Sequence, residues 1–313
     1  MAGVSFVIVC FNHARYIERV THHLAQQSGI EDSEFIFIDD GSDDGTSDAI
    51  RRATQGWPNT VIHQQENAGP SNALNQGISK ATKPFIKLVG GDDLLHPQAT
   101  QFLLKKIEDH SAVYAFGELS NFDPAHELSD EQYFNDLMPQ KSQPRHTVIE
   151  DALGFMIRSM PFNPSCLLLR ADVVKKTGGS DENVFVEDYS LSLRMATQGK
   201  FVQLPETVAY APQGDEKRLS MNGAQTLHDA NLALAGLIRD YPNLEKKYKR
   251  LIAKRAAGRA WLWARREGGR SVLSQAYLNF VLANSGLQTA TNSFMKNCCQ
   301  PFRQTNTIRL PKG

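Results

Sequence analysis

The chain has 313 residues, of which 41% are hydrophobic and 22% are charged, and its formal net charge is zero. This composition is that of an ordinary globular protein with enough apolar residues for a sizeable core, which argues against a fibrous or disordered chain. No apolar run approaches the ~18 residues that span a bilayer, and the N-terminus lacks a signal-peptide pattern. We therefore expect a cytoplasmic protein.

Apolar and polar segments alternate regularly along the first third of the chain. Apolar, β-branched runs predict buried strands over residues 4–10, 34–38, 61–63 and 85–89. Amphipathic segments predict helices after Asn12 and over residues 43–53, 70–78 and 98–107. This alternation predicts an α/β fold with a doubly wound, mostly parallel sheet.

The pattern changes in the second half of the chain. Residues 118–147 lose it, which predicts a functional loop or lid. A strand is predicted over residues 165–169, and Glu187 and Asp188 open a further helix. Beyond Met221, three helices are predicted around residues 232–238, 244–252 and 273–284. We therefore predict a domain over residues 1–220 and a basic, C-terminal α-helical region over residues 221–313.

Polar residues follow three of the predicted strands. These are Phe11-Asn12, Asp39-Asp40 and Asp92-Asp93. Doubly wound sheets bind ligands beyond the carboxyl ends of their strands, so these residues are expected to converge on one site. Paired carboxylates repel each other unless a cation or several N–H donors hold them. The alternative is that they are ordinary Asp-rich turns.

Five segments then resemble the successive motifs of the family 2 glycosyltransferases. They are residues 4–12, 38–46, 66–77, 91–93 and 187–194, and the resemblance extends over about residues 1–211. It implies a GT-A fold and a nucleotide-sugar donor, with a UDP-sugar favoured. It also implies a Mn²⁺ or Mg²⁺ ion, and inverting transfer to a hydroxyl of a glycan or lipid-linked acceptor.

The same resemblance implies a role for individual residues. Asp93 would ligate the ion, Asp92 would contact the ribose or the ion through its water, and Asp39 would accept hydrogen bonds from the nucleobase. Phe11 would lie against the base. The other residues that the resemblance places in the donor site are Val9, Cys10, Asn12, Asp40, Asn67, Gly69 and Asn72.

An inverting transfer needs a general base for the acceptor hydroxyl. The resemblance implies Asp188 for this role, with Glu187 as the alternative. A simple pair of acids at a helix N-terminus is the competing interpretation. Two positions depart from the family: Gln213 stands where many relatives have a metal-binding histidine, and Leu74 stands where many have an arginine.

The acceptor side and the C-terminal region are less informative. The irregular segment contains aromatic and basic residues for which two interpretations stay open: a sugar platform or lid, or ordinary loop residues. They are Phe122, Tyr133, Phe134, Arg145 and His146. Residues 221–313 carry fifteen Lys and Arg against four Asp and Glu. Such helices suit a solvated face, a homo-oligomer contact through Trp261 and Trp263, or peripheral contact with the anionic inner face of a membrane. Nucleic acid is disfavoured because no binding motif accompanies the charge.

Two other functions compete with sugar transfer. One is a catalytically silent protein that binds nucleotides or carbohydrates, against which the acids Asp39, Asp92, Asp93 and Asp188 argue. The other is a sugar-1-phosphate nucleotidyltransferase, against which the absence of a Gly-rich phosphate loop after the first strand argues. Cys10 and Cys166 lie in apolar runs and are expected to be core residues.

Overall fold

The computed structural model describes residues 2–29, 31–126, 146–159, 163–214, 222–268, 274–305 and 308–309. The chain divides into two compact units, neither of them continuous in sequence. We call residues 1–150, 162–179 and 198–215 the sheet unit, and residues 151–161, 180–197 and 216–313 the helical unit. The helical unit thus takes up two segments that precede residue 221, and the predicted boundary at residues 220 and 221 stays a prediction.

The sheet unit contains every described strand. They are β1 (Val4–Cys10), β2 (Ser33–Asp39), β3 (Thr60–Gln64), β4 (Phe85–Gly90), β5 (Leu94–Leu95), β6 (Tyr114–Phe122), β7 (Thr147–Ile149), β8 (Leu167–Arg170) and β9 (Phe201–Pro212). They form one sheet in the order β3-β2-β1-β4-β8-β6-β9-β5, with β7 paired to β9. The pairs among β1 to β4 are parallel, whereas β8 runs antiparallel to both of its neighbours. The predicted α/β architecture is confirmed.

Helices follow most of the strands. They are α1 (Ala14–Ala25), α2 (Thr46–Ala53), α3 (Pro70–Lys80), α4 (Ala99–Asp109), α5 (Ala152–Arg158), α6 (Ala171–Lys176), α7 (Glu187–Met195), α8 (Gly223–Asp240), α9 (Lys246–Gly268), α10 (Gln275–Asn284) and α11 (Asn292–Thr305). Helices α1–α4 and α6 belong to the sheet unit, and α5 and α7–α11 belong to the helical unit.

The core of the sheet unit follows from the apolar patterns. β1 and β2 are buried along nearly their whole length, as central parallel strands are. The apolar face of α1 is buried at its predicted positions, and Pro70 occupies the first turn of α3, where its missing N–H needs no partner. Cys10 and Cys166 are buried core residues, as predicted.

The segment between α4 and β8 differs from its prediction. β6 continues to Phe122, which is fully buried, so the expected loss of structure from residue 118 is wrong for residues 118–122. Glu118, Leu119 and Asn121 are exposed, so the sequence lacks the apolar pattern of a strand there. The pairing of β6 with β9 also shifts register around Glu118. Residues 127–145 lie outside the described part of the chain.

The helical unit is built around α8 and α9. α8 packs on α7 and α11, and α9 packs on α5, α10 and α11. Three of its C-terminal helices were predicted and α11 was not, although Met295, Cys298 and Phe302 form a buried face on it at helical spacing. Among the helices that the structure describes, none is long and apolar enough to cross a membrane.

Candidate active site

The carboxyl ends of β1, β2 and β4 lie side by side at one edge of the sheet. Cys10 is opposite Asp39 in the register of β1 and β2, and Val9 is opposite Gly90 in the register of β1 and β4. The N–H of Asp40 donates to the carbonyl of Cys10 at 2.9 Å, and the N–H of Gly91 donates to the carbonyl of Val9 at 2.8 Å, so each pairing continues one residue further. The loops after the three strands therefore leave the sheet together, as the polar residues at the strand ends predicted.

Asp92 and Asp93 lie in the loop after β4. Their side chains are buried, with 8% and 2% of the residue surface exposed. Oδ2 of Asp93 and Oδ1 of Asp92 lie 2.7 and 3.1 Å from the point that a Cβ would occupy on Gly90. A side chain at position 90 would collide with both carboxylates, so the glycine gives them room to converge.

Ser165, which precedes β8, holds the carboxylate of Asp93. Its hydroxyl donates to Oδ2 of Asp93 at 2.7 Å and accepts from the N–H of Gly90 at 2.8 Å. A single serine thus ties the second carboxylate to the backbone of β4. Nothing in the sequence around Ser165 indicated this contact.

A buried lysine lies beneath the same loop. Lys87 is fully buried in β4, and its Nζ donates to the carbonyl oxygens of Ser165 and Leu88. Burial lowers the pKa of Lys87 to about 7, although the charges of Cys166 and Asp93 act in the opposite direction. The lysine therefore supports the segment that carries Ser165. A lysine inside an otherwise apolar strand was the available sequence signal.

Asp39 is fully buried at the end of β2. Its Oδ1 accepts from the N–H of Ser42 at 3.0 Å, and its Oδ2 accepts from the hydroxyl of Ser47. These bonds fold the loop between β2 and α2 around the carboxylate. The contacts support a structural role for Asp39, and its predicted contact with a nucleobase stays a prediction.

Asp40 organises the loop between β3 and α3. Its carboxylate accepts from Nε2 of Gln65 at 2.8 Å and from the backbone N–H groups of Ala68 and Gly69, each at 2.9 Å. Nε2 of Gln65 also donates to Oδ1 of Asn72 at 3.0 Å. Asp40, Gly69 and Asn72, which were predicted for the donor site, thus form one hydrogen-bonded cluster.

The loop after β1 is exposed and is bonded to the loop after β2. Phe11 is 46% exposed. Asn12 adopts a φ of 57°, a region that few residues other than glycine occupy. Its N–H donates to Oγ of Ser42 at 2.9 Å, and its Oδ1 accepts from the N–H of Asp43 at 3.0 Å. The strained asparagine therefore fixes the loop that presents the Phe11 ring.

Gly41 lets two of these loops approach each other. Its φ of 76° lies in the left-handed region, and the backbone N of Asn67 is 2.7 Å from the position of a Cβ at Gly41. Any other residue at position 41 would push the exposed Asn67 away from the end of β2. Asn67 therefore belongs to the same cluster of loops as Asp40.

These residues suit an ion that is shared with a ligand. Within the described ranges, no group of three or more His, Cys, Asp or Glu side chains is arranged to hold a metal ion. Mg²⁺ is commonly bound through one or two carboxylates, with substrate phosphates and water completing the shell. The convergent carboxylates of Asp92 and Asp93 fit that pattern. Gln213 is exposed at the end of β9, and its N–H donates to the carbonyl of Phe122 at 2.9 Å.

The acid pair Glu187 and Asp188 forms the first turn of α7 in the helical unit. Both residues are half-buried, so their carboxyl groups are largely withdrawn from water. Burial raises the pKa of Glu187 to about 7, and burial followed by the charge of Glu187 raises the pKa of Asp188. A helix N-terminus alone would favour ionised acids, so the raised values favour a functional pair over simple capping.

Two serines fix the start of α7. The hydroxyls of Ser180 and Ser190 are 2.7 Å apart, and Oγ of Ser180 donates to the carbonyl of Glu187 at 3.0 Å. Oγ of Ser190 accepts from the N–H of Asp181 at 3.0 Å. The residues that carry the acid pair are thus braced by the segment before them.

The predicted acceptor residues fare differently. Phe122 is fully buried in β6 with the guanidinium of Arg19 above its ring, so it is neither part of a sugar platform or lid nor an ordinary loop residue, and both interpretations are wrong for it. His146 is exposed, and its ring centroid lies 4.4 Å from that of His110. Tyr133, Phe134 and Arg145 lie outside the described residues.

Comparison with known proteins gives matches of two kinds. The sequence model of Glycosyl transferase family 2 matches residues 5–163. Glycosyltransferase GlyG of Streptococcus pneumoniae serotype 4 is 26% identical over 168 residues, which are 53% of this chain and 54% of that protein. Poly-beta-1,6-N-acetyl-D-glucosamine synthase of Staphylococcus aureus is 28% identical over 108 residues, which are 34% of this chain and 26% of that protein. The chain thus spans about half of the first relative and about a quarter of the second.

Solved structures with the same fold cover nearly the whole chain. Residues 1–349 of S. aureus TarS, in complex with UDP-GlcNAc, are similar over 98% of this chain and 93% of that one, with a TM-score of 0.67 and 15% identity. The mannosyltransferase PcManGT from Pyrobaculum calidifontis, in complex with GDP-Man and Mn²⁺, is similar over 96% of this chain and 87% of that one, with a TM-score of 0.58 and 16% identity.

Proposed function

The chain belongs to Glycosyl transferase family 2, and we propose that it moves a sugar from a nucleotide-diphosphate sugar to a hydroxyl of a glycan or lipid-linked acceptor, with inversion at the anomeric carbon. The observation that carries this proposal is the convergence of Asp92 and Asp93 at the carboxyl edge of the sheet, next to the loops after β1 and β2. A UDP-sugar is the favoured donor. The UDP-GlcNAc bound to the similar TarS structure supports this preference.

In this proposal Asp92 and Asp93 hold a Mn²⁺ or Mg²⁺ ion together with the donor diphosphate. Such an ion, when bound, offsets the negative charge that develops on the leaving group. Ser165 keeps the carboxylate of Asp93 in place through its 2.7 Å hydrogen bond, so the carboxylate does not reorganise when the donor enters. The Mn²⁺ in the similar PcManGT structure supports the assignment of a divalent ion.

The loops after β1, β2 and β3 provide the nucleotide site of the proposal. The exposed ring of Phe11 offers a flat apolar surface against which a base can stack. Asp40 holds the loop that carries Asn67 and Gly69, and Gln65 links the same carboxylate to Asn72 in the first turn of α3, so these contacts shape the wall of the site. In the proposal Asp39 accepts hydrogen bonds from the nucleobase, and Asp40 acts on the donor through the loop that it holds.

Asp188 is the general base of the proposal, and Glu187 is its neighbour and modulator. A raised pKa makes a carboxylate a stronger base and places its titration nearer to neutral pH, where a base is most effective. The negative charge of Glu187 contributes to this shift. Asp188 would accept the proton of the acceptor hydroxyl as the oxygen attacks the anomeric carbon.

We further propose that the protein is cytoplasmic and contacts the inner face of a membrane through α9 and α10. Among the described residues between 262 and 287, four large apolar side chains are more than 40% exposed: Leu262, Leu278, Val281 and Leu287. Exposed cations such as Lys254 and Arg265 lie on the same helix as Leu262. Basic residues near an anionic surface contribute about 1 kcal/mol each to binding.

Vesicle co-sedimentation tests this contact. We expect the protein to sediment with anionic vesicles but not with zwitterionic ones, and Leu262→Glu to lose this binding. Equal sedimentation with both kinds of vesicle would contradict the contact.

A donor screen tests the function directly. We expect the purified protein to release the nucleotide from one member of a panel of UDP-, GDP- and dTDP-sugars when Mn²⁺ or Mg²⁺ is present. Slow hydrolysis is expected without an acceptor, and faster release with one. Release from none of the donors, by protein that is folded and binds nucleotide, would refute the proposed transfer and favour a silent binding protein.

A further inference from the structure

The helical unit contains a cavity that the proposed transfer does not use. It measures about 430 Å³, is open to solvent on one side, and is lined by residues of α8, of α11 and of the segment 181–183. Its floor includes the apolar side chains of Leu232 and Met295. Small-molecule sites typically measure about 300–1,000 Å³, so the cavity is large enough for a compact ligand.

The polar groups of the cavity are mostly cationic. Arg239, Lys296 and Arg303 line it, with Asp181 as the single acid among its lining residues. Arg239 donates to Asp181 at 3.0 Å and to Asp240 at 2.7 Å, and Arg194 forms ion pairs with the same two carboxylates, so these two cations and two acids balance one another. Lys296 and Arg303 are the other cations of the lining, and the carboxylate of Asp229 lies behind Arg303 through His228. The wall therefore has an excess positive charge of about +1 to +2, which an anion is suited to neutralise.

Arg303 is anchored by a chain of buried groups. Its Nε donates to Nε2 of His228 at 2.9 Å, and Nδ1 of His228 is 2.7 Å from Oδ1 of Asp229. Because an arginine can only donate, Nε2 of His228 accepts and its Nδ1 donates to Asp229. His228 and Asp229 are 0% and 1% exposed. This chain fixes the guanidinium while leaving its terminal nitrogens without a hydrogen bond to any described residue.

Lys296 stands on the same face of α11. It lies seven residues, or about two turns, before Arg303, and Asn292 lies one turn before Lys296. Lys296 is exposed and makes no hydrogen bond or ion pair with any residue that the structure describes. An ammonium, a guanidinium and a side-chain amide therefore line one wall of the cavity, and all three can donate to an anion.

We propose that this cavity binds a small ligand that carries a phosphate group. A phosphate monoester has a charge of about −1.5 to −2 near pH 7 and three strong acceptor oxygens, which match the charge and the number of donors of the wall. A single carboxylate would offer only two acceptor oxygens to the three donor side chains of the wall. Arg303 gives the site its directional donors, and Lys296 adds a mobile point charge.

Titration with inorganic phosphate, followed by ³¹P line width in EDTA at constant ionic strength, tests this site. We expect saturable binding that weakens about tenfold in Lys296→Gln and in Arg303→Gln, since each loses a charge-assisted hydrogen bond. Arg265→Gln removes an exposed cation of α9 that does not line the cavity, and it should bind phosphate as the parent protein does.

The variants also separate this site from the donor site. Lys296 has no described partner, so Lys296→Gln should unfold at the same urea concentration as the parent and still release nucleotide from the donor. Absence of saturable phosphate binding, or equal binding by all the variants, would overturn the proposal. Those results would leave the transfer reaction untouched, because the donor screen does not depend on the cavity.

Discussion

Replacing Glu187 by Gln should stabilise the protein at alkaline pH. The pKa of Glu187 is raised by burial from 4.5 to about 7. Between these values the folded protein binds more protons at this site than the unfolded chain does, so stability falls as pH rises. Linkage with this shift gives a penalty of about 1 kcal/mol at pH 5.5 and about 3 kcal/mol at pH 8.5. Gln removes the penalty, and the gain in unfolding free energy should be about 2 kcal/mol larger at pH 8.5 than at pH 5.5.

Urea unfolding at the two pH values measures this difference. Trp57 is the one tryptophan of the sheet unit, and in a Trp57→Phe background the fluorescence of Trp261 and Trp263 on α9 reports on the unit that contains Glu187. The control is Glu182→Gln, which removes an exposed carboxyl of the same unit; surface substitutions typically change stability by less than about 0.5 kcal/mol. Equal effects of Glu187→Gln at both pH values would refute the inference that burial shifts this acid.

Three further predictions concern the acids of the site. Asp188→Asn should keep nucleotide binding in calorimetry but lower the transfer rate by about 10²–10⁴, the usual contribution of a general base; an unchanged rate would remove Asp188 from the chemistry. Asp93→Ala should weaken UDP binding in the presence of Mn²⁺ and have little effect in EDTA; equal binding by the parent protein with and without EDTA would contradict the metal assignment. Asp40→Ala should lower the unfolding free energy measured in urea by about 2 kcal/mol or more, because three N–H donors lose their acceptor; the exposed Asp43→Ala is the control, and equal unfolding free energies for the two variants would show that Asp40 does not hold the loop.

The sheet, and the edge of it that carries the candidate site, could be predicted from the sequence because each strand has a local pattern of apolar residues. Runs such as residues 4–10 are apolar and β-branched over a whole strand. Once four of them alternate with helices, the topology of such folds brings their carboxyl ends together. The positions of Asp39 and of the Asp92–Asp93 pair at that edge follow without knowledge of any contact.

The hydrogen-bond partners of those acids could not be predicted from the sequence. Asp39 and Asp40 look alike in the sequence, yet each accepts hydrogen bonds from a different loop. An acid that binds a ligand and an acid that holds backbone N–H groups have the same residue type and spacing. Ser165 meets Asp93 across 72 positions of the chain, and no local pattern specifies such a contact.

Two elements were missed for more local reasons. The end of β6 is exposed from Glu118 to Asn121 apart from a half-buried Ser120, so it lacks the alternation of a half-buried strand. α11 contains adjacent cysteines and Pro301, which obscure a helical face that tertiary packing nevertheless buries. The same helix carries Lys296 and Arg303, which line one cavity.

The anomeric configuration of the product tests the central claim most directly. A single displacement, with Asp188 accepting the proton of the acceptor hydroxyl and the diphosphate leaving from the opposite side, requires that the configuration at the transferred carbon be inverted. We expect ¹H NMR of the first product formed from an α-linked nucleotide sugar to show a β-glycosidic bond. An α-linked product would contradict this mechanism and the role of Asp188 in it.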